Sequence, residues 1–157
     1  SYMIEKSKVE TIVNGWLEGK DYFLTDLTVS PDDRIVVEID HKDGVWIDDC
    51  VQLSQYIEAH LDRDTEDYEL EVGSAGIGQP FKVLRQYENH VGQEVEVQTR
   101  AGEKLKGILK EISGEGFTMT TKVRFKPEGA KRAKMIDQDR TLAFADVNST
   151  RAVINFK

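Results

Sequence analysis

The 157-residue chain has no long apolar run and a single cysteine, Cys50. Its aliphatic runs are no longer than Ile35-Val36-Val37, whereas a membrane-spanning helix needs about 20 residues. Residues 1–20 lack the continuous apolar core of a signal peptide. A lone cysteine cannot form an internal disulfide, which suits a reducing compartment. We therefore expect a cytoplasmic protein with no membrane association.

Motifs for catalysis, metal binding and nucleotide binding are also missing. Gly73 and Gly78 have the spacing of a phosphate-binding loop, but Gln79 and Pro80 replace the lysine and hydroxyl residue that such a loop requires. The histidines have no cysteine or second histidine at ligand spacing, and there is no Gly-x-Ser-x-Gly motif. We expect no cofactor, no metal, no small-molecule substrate and no catalytic residues. An enzyme with an unrecognised site is the weakest alternative.

The net charge of −8 is distributed unevenly along the chain. Residues 1–80 carry 6 Lys+Arg against 19 Asp+Glu, a net charge of −13, whereas residues 81–157 carry 15 against 10, a net charge of +5. The segment 122–134 has six basic residues and one acid, and so supplies a charge of +5 by itself. Such asymmetry suggests two surfaces for different partners.

The first half is predicted to fold as an α/β domain over residues 1–80. Apolar residues at helical spacing predict two helices, one around residues 9–17 that ends near Gly19 and one after an N-terminal cap at Asp48 or Asp49. Alternating segments predict strands at 23–29, 34–40 and 68–72. The order is therefore α-β-β-α-β, with the helices on one face of a three-stranded sheet.

Residues 73–80 hold three glycines and a proline and are predicted to be a linker. A helical turn at 82–89 and five short strands, at 92–99, 104–112, 117–125, 141–144 and 151–156, are expected to follow. Short strands at this spacing predict a small closed barrel over residues 81–157. Residues 126–139 are predicted to form a long loop of the kind that often carries function.

The basic residues of the second half are predicted to contact nucleic acid. Alternation would place Lys122, Arg124 and Lys126 on one side of a strand, and positive charge held at a surface attracts phosphates. A solvated charged face is the plainer alternative. The full candidate set is Lys104, Lys106, Lys110, Lys122, Arg124, Lys126, Lys131, Arg132 and Lys134. Among the aromatic residues, Phe117, Phe125 and Phe144 are possible stacking groups, although a core role is favoured for each.

The chain resembles the RimP ribosome maturation factors of bacteria in several passages. Residues 45–54 (VWIDDCVQLS) are similar to the segment in which that family enters its second helix, and residues 68–81 (YELEVGSAGIGQPF) to its Leu-Glu-Val-Ser-Ser-Pro-Gly-Leu-Asp-Arg-Pro-Leu signature. Val91-Gly92 and residues 106–109 also occur in the expected order. In this sequence the signature loop holds Gly73, Ser74, Gly76, Gln79 and Pro80.

The resemblance implies that the second half is an Sm- or SH3-like barrel and that the protein assists assembly of the small (30S) ribosomal subunit. The implied partners are 16S rRNA and a basic small-subunit ribosomal protein, protein S-twelve. Independently of the resemblance, an acidic half favours a basic protein partner and a basic segment favours RNA. The alternative function is a general RNA-binding Sm-like protein that is not specific to ribosomes.

Overall fold

The computed structural model describes residues 4–76 and 78–153. The chain divides into two compact units, Ser1–Gly76 (the first unit) and Ile77–Lys157 (the second unit). The division falls within the predicted linker, four residues before the position expected from the sequence. Within the described ranges, no helix has the length and apolar character required to cross a bilayer.

The first unit has the predicted order of elements. They are α1 (Lys6–Leu17), β1 (Phe23–Val29), β2 (Arg34–Asp40), α2 (Ile47–His60) and β3 (Glu69–Ser74). The sheet order is β1-β2-β3, with β1 antiparallel and β3 parallel to β2. The β1–β2 pair is an antiparallel hairpin, and the parallel β2–β3 pair is connected through α2.

The core of the first unit lies between the two helices and one face of the sheet. Ile35, Val37 and Ile39 alternate along β2 and are buried against the helical stripes. The helices contribute Val9, Val13, Trp16, Leu53 and Ile57 to the same cluster. Residues at i, i+3 and i+4 share one helix face, so the periodicity in the sequence predicted this core correctly. Cys50 is half-buried and packs against the cluster.

Two local predictions for the first unit are wrong. Neither Asp48 nor Asp49 caps α2, because Trp46 occupies the N-cap position and makes no side-chain capping bond. Gly73 and Ser74 belong to β3 rather than to the linker, since they pair with Glu38 and Ile39 of β2. The parallel ladder therefore overrides the low strand propensity of glycine at this position.

The second unit begins with α3 (Leu84–Asn89), in the predicted region, and continues with a five-stranded antiparallel sheet. The strands are β4 (Glu94–Thr99), β5 (Lys104–Ile112), β6 (Gly116–Phe125), β7 (Lys134–Ala143) and β8 (Val147–Ala152). The sheet order is β7-β6-β5-β4-β8. The mixed α+β class is therefore confirmed. Within the described residues β7 and β8 are the sheet edges and do not pair, so closure into a barrel is not shown.

Six of the fourteen residues in the long loop predicted at 126–139 are strand. β7 begins at Lys134, and its ten residues pair with all ten residues of β6, so the connection spans only 126–133. The prediction failed because residues 134–140 show little apolar alternation, and this part of the hairpin is held by its ladder rather than by a core. Likewise, β8 begins at Val147 instead of 151, and residues 154–156 of the predicted last strand lie outside the described residues.

The core of the second unit is an aromatic and aliphatic cluster on one face of this sheet. Val95, Val97, Leu109, Phe117 and Met119 are its most deeply buried members. The ring of Tyr87, from α3, lies 5.3 Å from that of Phe117 and 5.2 Å from that of Phe144. Phe117 is thus a core residue and Phe144 is half-buried against the core, as the sequence favoured for both.

Candidate functional site

The end of the β6–β7 hairpin extends beyond the rest of the sheet. β5 pairs with β6 only as far as Thr121, whereas the β6–β7 ladder continues to the pair Phe125 and Lys134. Residues 122–137 therefore form a two-stranded ribbon with its connecting loop, which we call the basic arm. The loop contains a turn closed by a 3.0 Å hydrogen bond from the Ala130 N–H to the Pro127 carbonyl, with Gly129 at a φ of 82°. This left-handed conformation favours glycine.

Six of the predicted basic residues lie together on this arm, and all six are exposed: Lys122, Arg124, Lys126, Lys131, Arg132 and Lys134. With Glu128 and Asp137 included, the arm carries a net charge of +4. Lys122 forms an ion pair with Asp137 on the neighbouring strand. Within the described ranges the other five basic side chains form no ion pair, so they present uncompensated charge.

The two faces of the arm differ in chemistry. Lys122 and Arg124 lie on one face with Asp137 and Met135, their partners in the ladder. Phe125 and Lys134 pair on the opposite face. Lys126 follows the end of β6, so the prediction that it continues the alternation of Lys122 and Arg124 is wrong.

Two large apolar side chains are exposed among the basic groups of the arm. Phe125 is 47% exposed and Met135 is 59% exposed. Because Phe117 is buried and Phe144 is half-buried, Phe125 is the one member of the predicted aromatic set that is exposed. Met135 was not predicted as a surface residue, since its only signal in the sequence was its position between Lys134 and the acids of β7.

The three lysines of β5 lie on the outward face of the sheet but near acids. Lys110 Nζ is 2.6 Å from Asp139 Oδ2 of β7, and Lys106 Nζ is 4.0 Å from Glu94 Oε1 of β4. Lys104 pairs in the ladder with Gln98. The structure therefore brings Lys104, Lys106 and Lys110 to the same face as Lys122, but two of the three are compensated.

Asp139 organises the centre of this outward face. Its carboxylate accepts hydrogen bonds from Lys110 Nζ and, at 2.8 Å, from Thr120 Oγ1. The hydrogen bond from Lys110, followed by that from Thr120, lowers the pKa of the Asp139 carboxyl. The same contact raises the pKa of the Lys110 ammonium group. Since β7, β6 and β5 each supply one of these groups, the contact joins three strands.

The predicted signature loop is only partly a loop. Gly73 and Ser74 end β3, and the ladder is extended by a 3.2 Å hydrogen bond from the Ala75 N–H to the Ile39 carbonyl. Gly76 has a positive φ of 77°. Gln79 is exposed and Pro80 is half-buried. Ile77 lies outside the described residues.

The outward face of the first sheet is acidic. Asp26 of β1 pairs with Glu38 of β2, and Glu71 of β3 pairs with Val36, all on the side away from the buried Ile35, Val37 and Ile39. The acids on this side, which we call the acidic face, are Asp26, Glu38, Asp40, Glu69 and Glu71. Arg34 lies among them, 3.3 Å from Glu71. The excess of negative charge was predicted from the sequence but this face was not, although the alternation along β2 and β3 would have indicated it.

The histidines have local structural roles. His41 Nδ1 accepts a 3.0 Å hydrogen bond from the Asp43 N–H, and the Nδ1 atoms of His60 and His90 lie 2.8 Å and 2.6 Å from carbonyls one turn earlier in the chain. Over residues 4–76 and 78–153, no group of three or more His, Cys, Asp or Glu side chains is arranged to hold a metal ion.

Comparison with known proteins defines the class first. A family model described as the RimP N-terminal domain matches residues 12–78, which covers most of the first unit. The chain is thus a protein with a RimP-type α/β domain followed by a second unit of antiparallel sheet.

Whole-chain similarity then identifies the family. The ribosome maturation factor RimP of Porphyromonas gingivalis is 41% identical over 152 residues, which is 97% of this chain and 100% of that protein. RimP of Flavobacterium psychrophilum is 30% identical over 98% of this chain and 100% of its own length, and RimP of Christiangramia forsetii is 29% identical over 96% and 99%. The chain belongs to the RimP ribosome maturation factor family, as the resemblance predicted.

Proposed function

We propose that this protein is a non-catalytic, cytoplasmic assembly factor for the small (30S) ribosomal subunit. The observation that carries the proposal is the 41% identity to a ribosome maturation factor along the full length of that relative. A factor of this kind acts by binding, since a protein that binds one assembly intermediate more tightly than other states stabilises that intermediate by mass action.

The acidic face of the first unit is the proposed contact for a basic ribosomal protein. Five carboxylates on one sheet surface create a negative potential that attracts a basic partner and opposes RNA. Protein S-twelve of the small subunit is the proposed partner, because the family resemblance implies it.

The basic arm is the proposed contact for 16S rRNA. Its five uncompensated basic side chains can neutralise phosphates, and Phe125 can stack on an unpaired base because its ring is accessible. Lys104, Lys106 and Lys110 extend this proposed surface along the sheet. The signature loop, with Gly73, Ser74, Gly76, Gln79 and Pro80, is proposed to assist by family resemblance alone. We further propose that the second unit is an Sm- or SH3-like barrel.

Co-sedimentation with ribosomal particles tests the proposed function. Purified full-length protein is mixed with immature small subunits, mature small subunits and complete ribosomes, and each mixture is separated on a sucrose gradient. We expect the protein to travel with small subunits, most strongly with the immature particles, and not with complete ribosomes.

A gradient without particles controls for self-aggregation of the protein. Two possible results would favour general RNA binding over the proposed role. Equal association with all three particles, or equal affinity for an unrelated RNA of the same length, would contradict an assembly role and favour a general RNA-binding protein.

A further inference from the structure

A group of exposed apolar side chains stands at the start of α2 in the first unit. Trp46 is 71% exposed, Ile47 is 81% exposed and Val51 is 48% exposed. Ile47 and Val51 are four residues apart on the helix and therefore share one face. We call these three residues the Trp46 patch. Neither the acidic face nor the core of the first unit uses them.

The backbone that carries this patch is held firmly in place. The Trp46 N–H donates a 3.2 Å hydrogen bond to the Tyr22 hydroxyl, which itself donates to the Asp49 carboxylate. Tyr22 is buried, and its ring lies 5.9 Å from that of Trp16 and 4.8 Å from that of His41. An exposed indole on a fixed backbone loses little further conformational freedom when a partner binds.

The charges around the patch are predominantly negative. Residues 40–52 contain four acids, Asp40, Asp43, Asp48 and Asp49, and one base, Lys42. Asp48 is exposed and lies three residues before Val51, so its carboxylate borders the helix face that Ile47 and Val51 share. A partner for this surface must therefore combine apolar contact with positive charge.

We propose that the Trp46 patch docks an arginine-rich protein segment, with a guanidinium group stacked on the Trp46 indole. Arginine matches both features, because it stacks on aromatic faces and is more weakly hydrated than lysine. Ile47 and Val51 contact apolar parts of the same segment, and Asp43 and Asp48 supply the counter-charge. The proposal rests on the proposed function for the source of that segment, which is a basic ribosomal protein.

Two other occupants fit the surface less well. A second copy of the first unit would bring together two surfaces from a segment with a net charge of −13, and like charges at an interface oppose association. An anionic lipid surface would be repelled by the same acids.

Binding of a synthetic peptide to the full-length protein tests the proposal. The probe is a short fluorescent peptide in which arginine alternates with glycine, and its lysine analogue is measured in parallel by fluorescence anisotropy. We expect tighter binding of the arginine peptide, and Trp46→Ala should weaken it about 10- to 30-fold because exposed tryptophans at interfaces commonly act as hot spots. The affinity of Trp46→Phe for the arginine peptide should lie between those of wild type and Trp46→Ala. Asp48→Asn should reduce the affinity for the same peptide at low salt.

A matched control variant and three contradicting results define the outcome of the peptide measurement. Val91→Ala removes another exposed apolar side chain, 46% exposed and in the second unit, and should leave peptide binding unchanged. Equal affinity of wild type and Trp46→Ala for the arginine peptide would overturn the proposal. So would Trp46-dependent binding to anionic vesicles, or a Trp46-dependent dimer in analytical ultracentrifugation.

The two proposals fail in different ways. If Trp46→Ala still co-sediments with small subunits as well as wild type does, the docking proposal is wrong and the assembly role stands. If wild type does not co-sediment with small subunits, the assembly role is wrong, and the peptide measurement alone then decides the docking surface.

Discussion

At the scale of single residues, the Tyr22 hydroxyl connects the segment before β1 to the start of α2. It donates to Asp49 and accepts from the Trp46 N–H. Burial, followed by the hydrogen bond with Asp49, raises the pKa of the Tyr22 phenol above its ordinary value. The phenol is thus neutral at physiological pH and available as a donor. Neither Asp48 nor Asp49 caps the helix, so Tyr22 has the anchoring role that the sequence assigned to a capping aspartate.

Tyr22→Phe is expected to destabilise the first unit by about 1–2 kcal/mol, because the Trp46 N–H and the Asp49 carboxylate both lose a partner. Both tryptophans, Trp16 and Trp46, lie in the first unit, so urea unfolding followed by tryptophan fluorescence reports on that unit. Tyr56→Phe is the matched control, since within the described residues the Tyr56 hydroxyl makes no hydrogen bond. Equal losses in the two variants would contradict the anchoring role.

Gly107 and Gly116 of the second unit are required by close contact with a neighbouring backbone. A Cβ atom at Gly107 would lie 2.2 Å from the Thr120 carbonyl oxygen, and one at Gly116 would lie 2.0 Å from that of Leu142. Gly107→Ala or Gly116→Ala should therefore force the strands apart and cost about 2–3 kcal/mol.

Thermal unfolding followed by circular dichroism checks this expectation, which corresponds to a fall in Tm of roughly 10 °C. Gly114→Ala is the control, because a Cβ atom at Gly114 meets nothing within 4 Å. A Tm for Gly107→Ala or Gly116→Ala within error of that for Gly114→Ala would show that the strands can separate without cost.

At the scale of elements, periodicity predicted the first unit well because its helices and strands each bury one regular face. Leu53 and Ile57 on α2 form one such face, which Leu61 continues just after the end of the helix, and all three side chains are buried. The same reasoning failed for β7, whose residues 134–140 pair with β6 but bury little against a core. Cross-strand hydrogen bonds leave no mark in the hydrophobic pattern, so the second strand of the basic arm was predicted as part of a loop, whereas residues 122–125 were correctly predicted as strand.

The Asp139 carboxylate, which joins three strands, is expected to make the second unit sensitive to acid. Its pKa is lowered in the folded state by Lys110 and Thr120, so its contribution to stability is present above the unfolded pKa of about 3.9 and is lost as the pH falls through the lower folded value. Asp139→Asn should therefore be less stable than wild type at pH 7 and indistinguishable from it at strongly acidic pH. Denaturant unfolding over a pH series measures the difference, and a gap that persists unchanged in acid would contradict the ionic origin.

At the scale of the whole molecule, the two units differ in the sign of their net charge. The division of charge was evident in the sequence. The structure shows where the charges lie: carboxylates share one face of the first sheet, and basic side chains lie on the basic arm of the second unit. Sequence reasoning could not find the exposed Trp46 patch, because the apolar residues of α2 look alike until the packing shows which are buried.

Neutralising the arm is expected to weaken RNA binding and its dependence on salt. Wild type with about six phosphate contacts should give a slope of log affinity against log salt near −4 for single-stranded RNA. The triple variant Lys122→Gln, Arg124→Gln and Lys126→Gln should reduce the slope to about −2. A triple change of Lys6, Lys8 and Lys42 to glutamine, all exposed on the first unit, alters the net charge equally and should leave the slope near the wild-type value. Equal slopes for both triple variants would mean that net charge, not the arm, determines binding.

Site-specific crosslinking on the immature small subunit tests the central claim, that two surfaces of opposite charge contact different components of one particle. A photoreactive amino acid is placed at position 69, an exposed position of the acidic face, or at position 124 of the basic arm in the full-length protein. The complex is irradiated, and the crosslinked products are separated into protein and RNA. We expect crosslinks to a basic ribosomal protein from position 69 and to 16S rRNA from position 124. Crosslinks from both positions to RNA alone, or to the same protein alone, would contradict it.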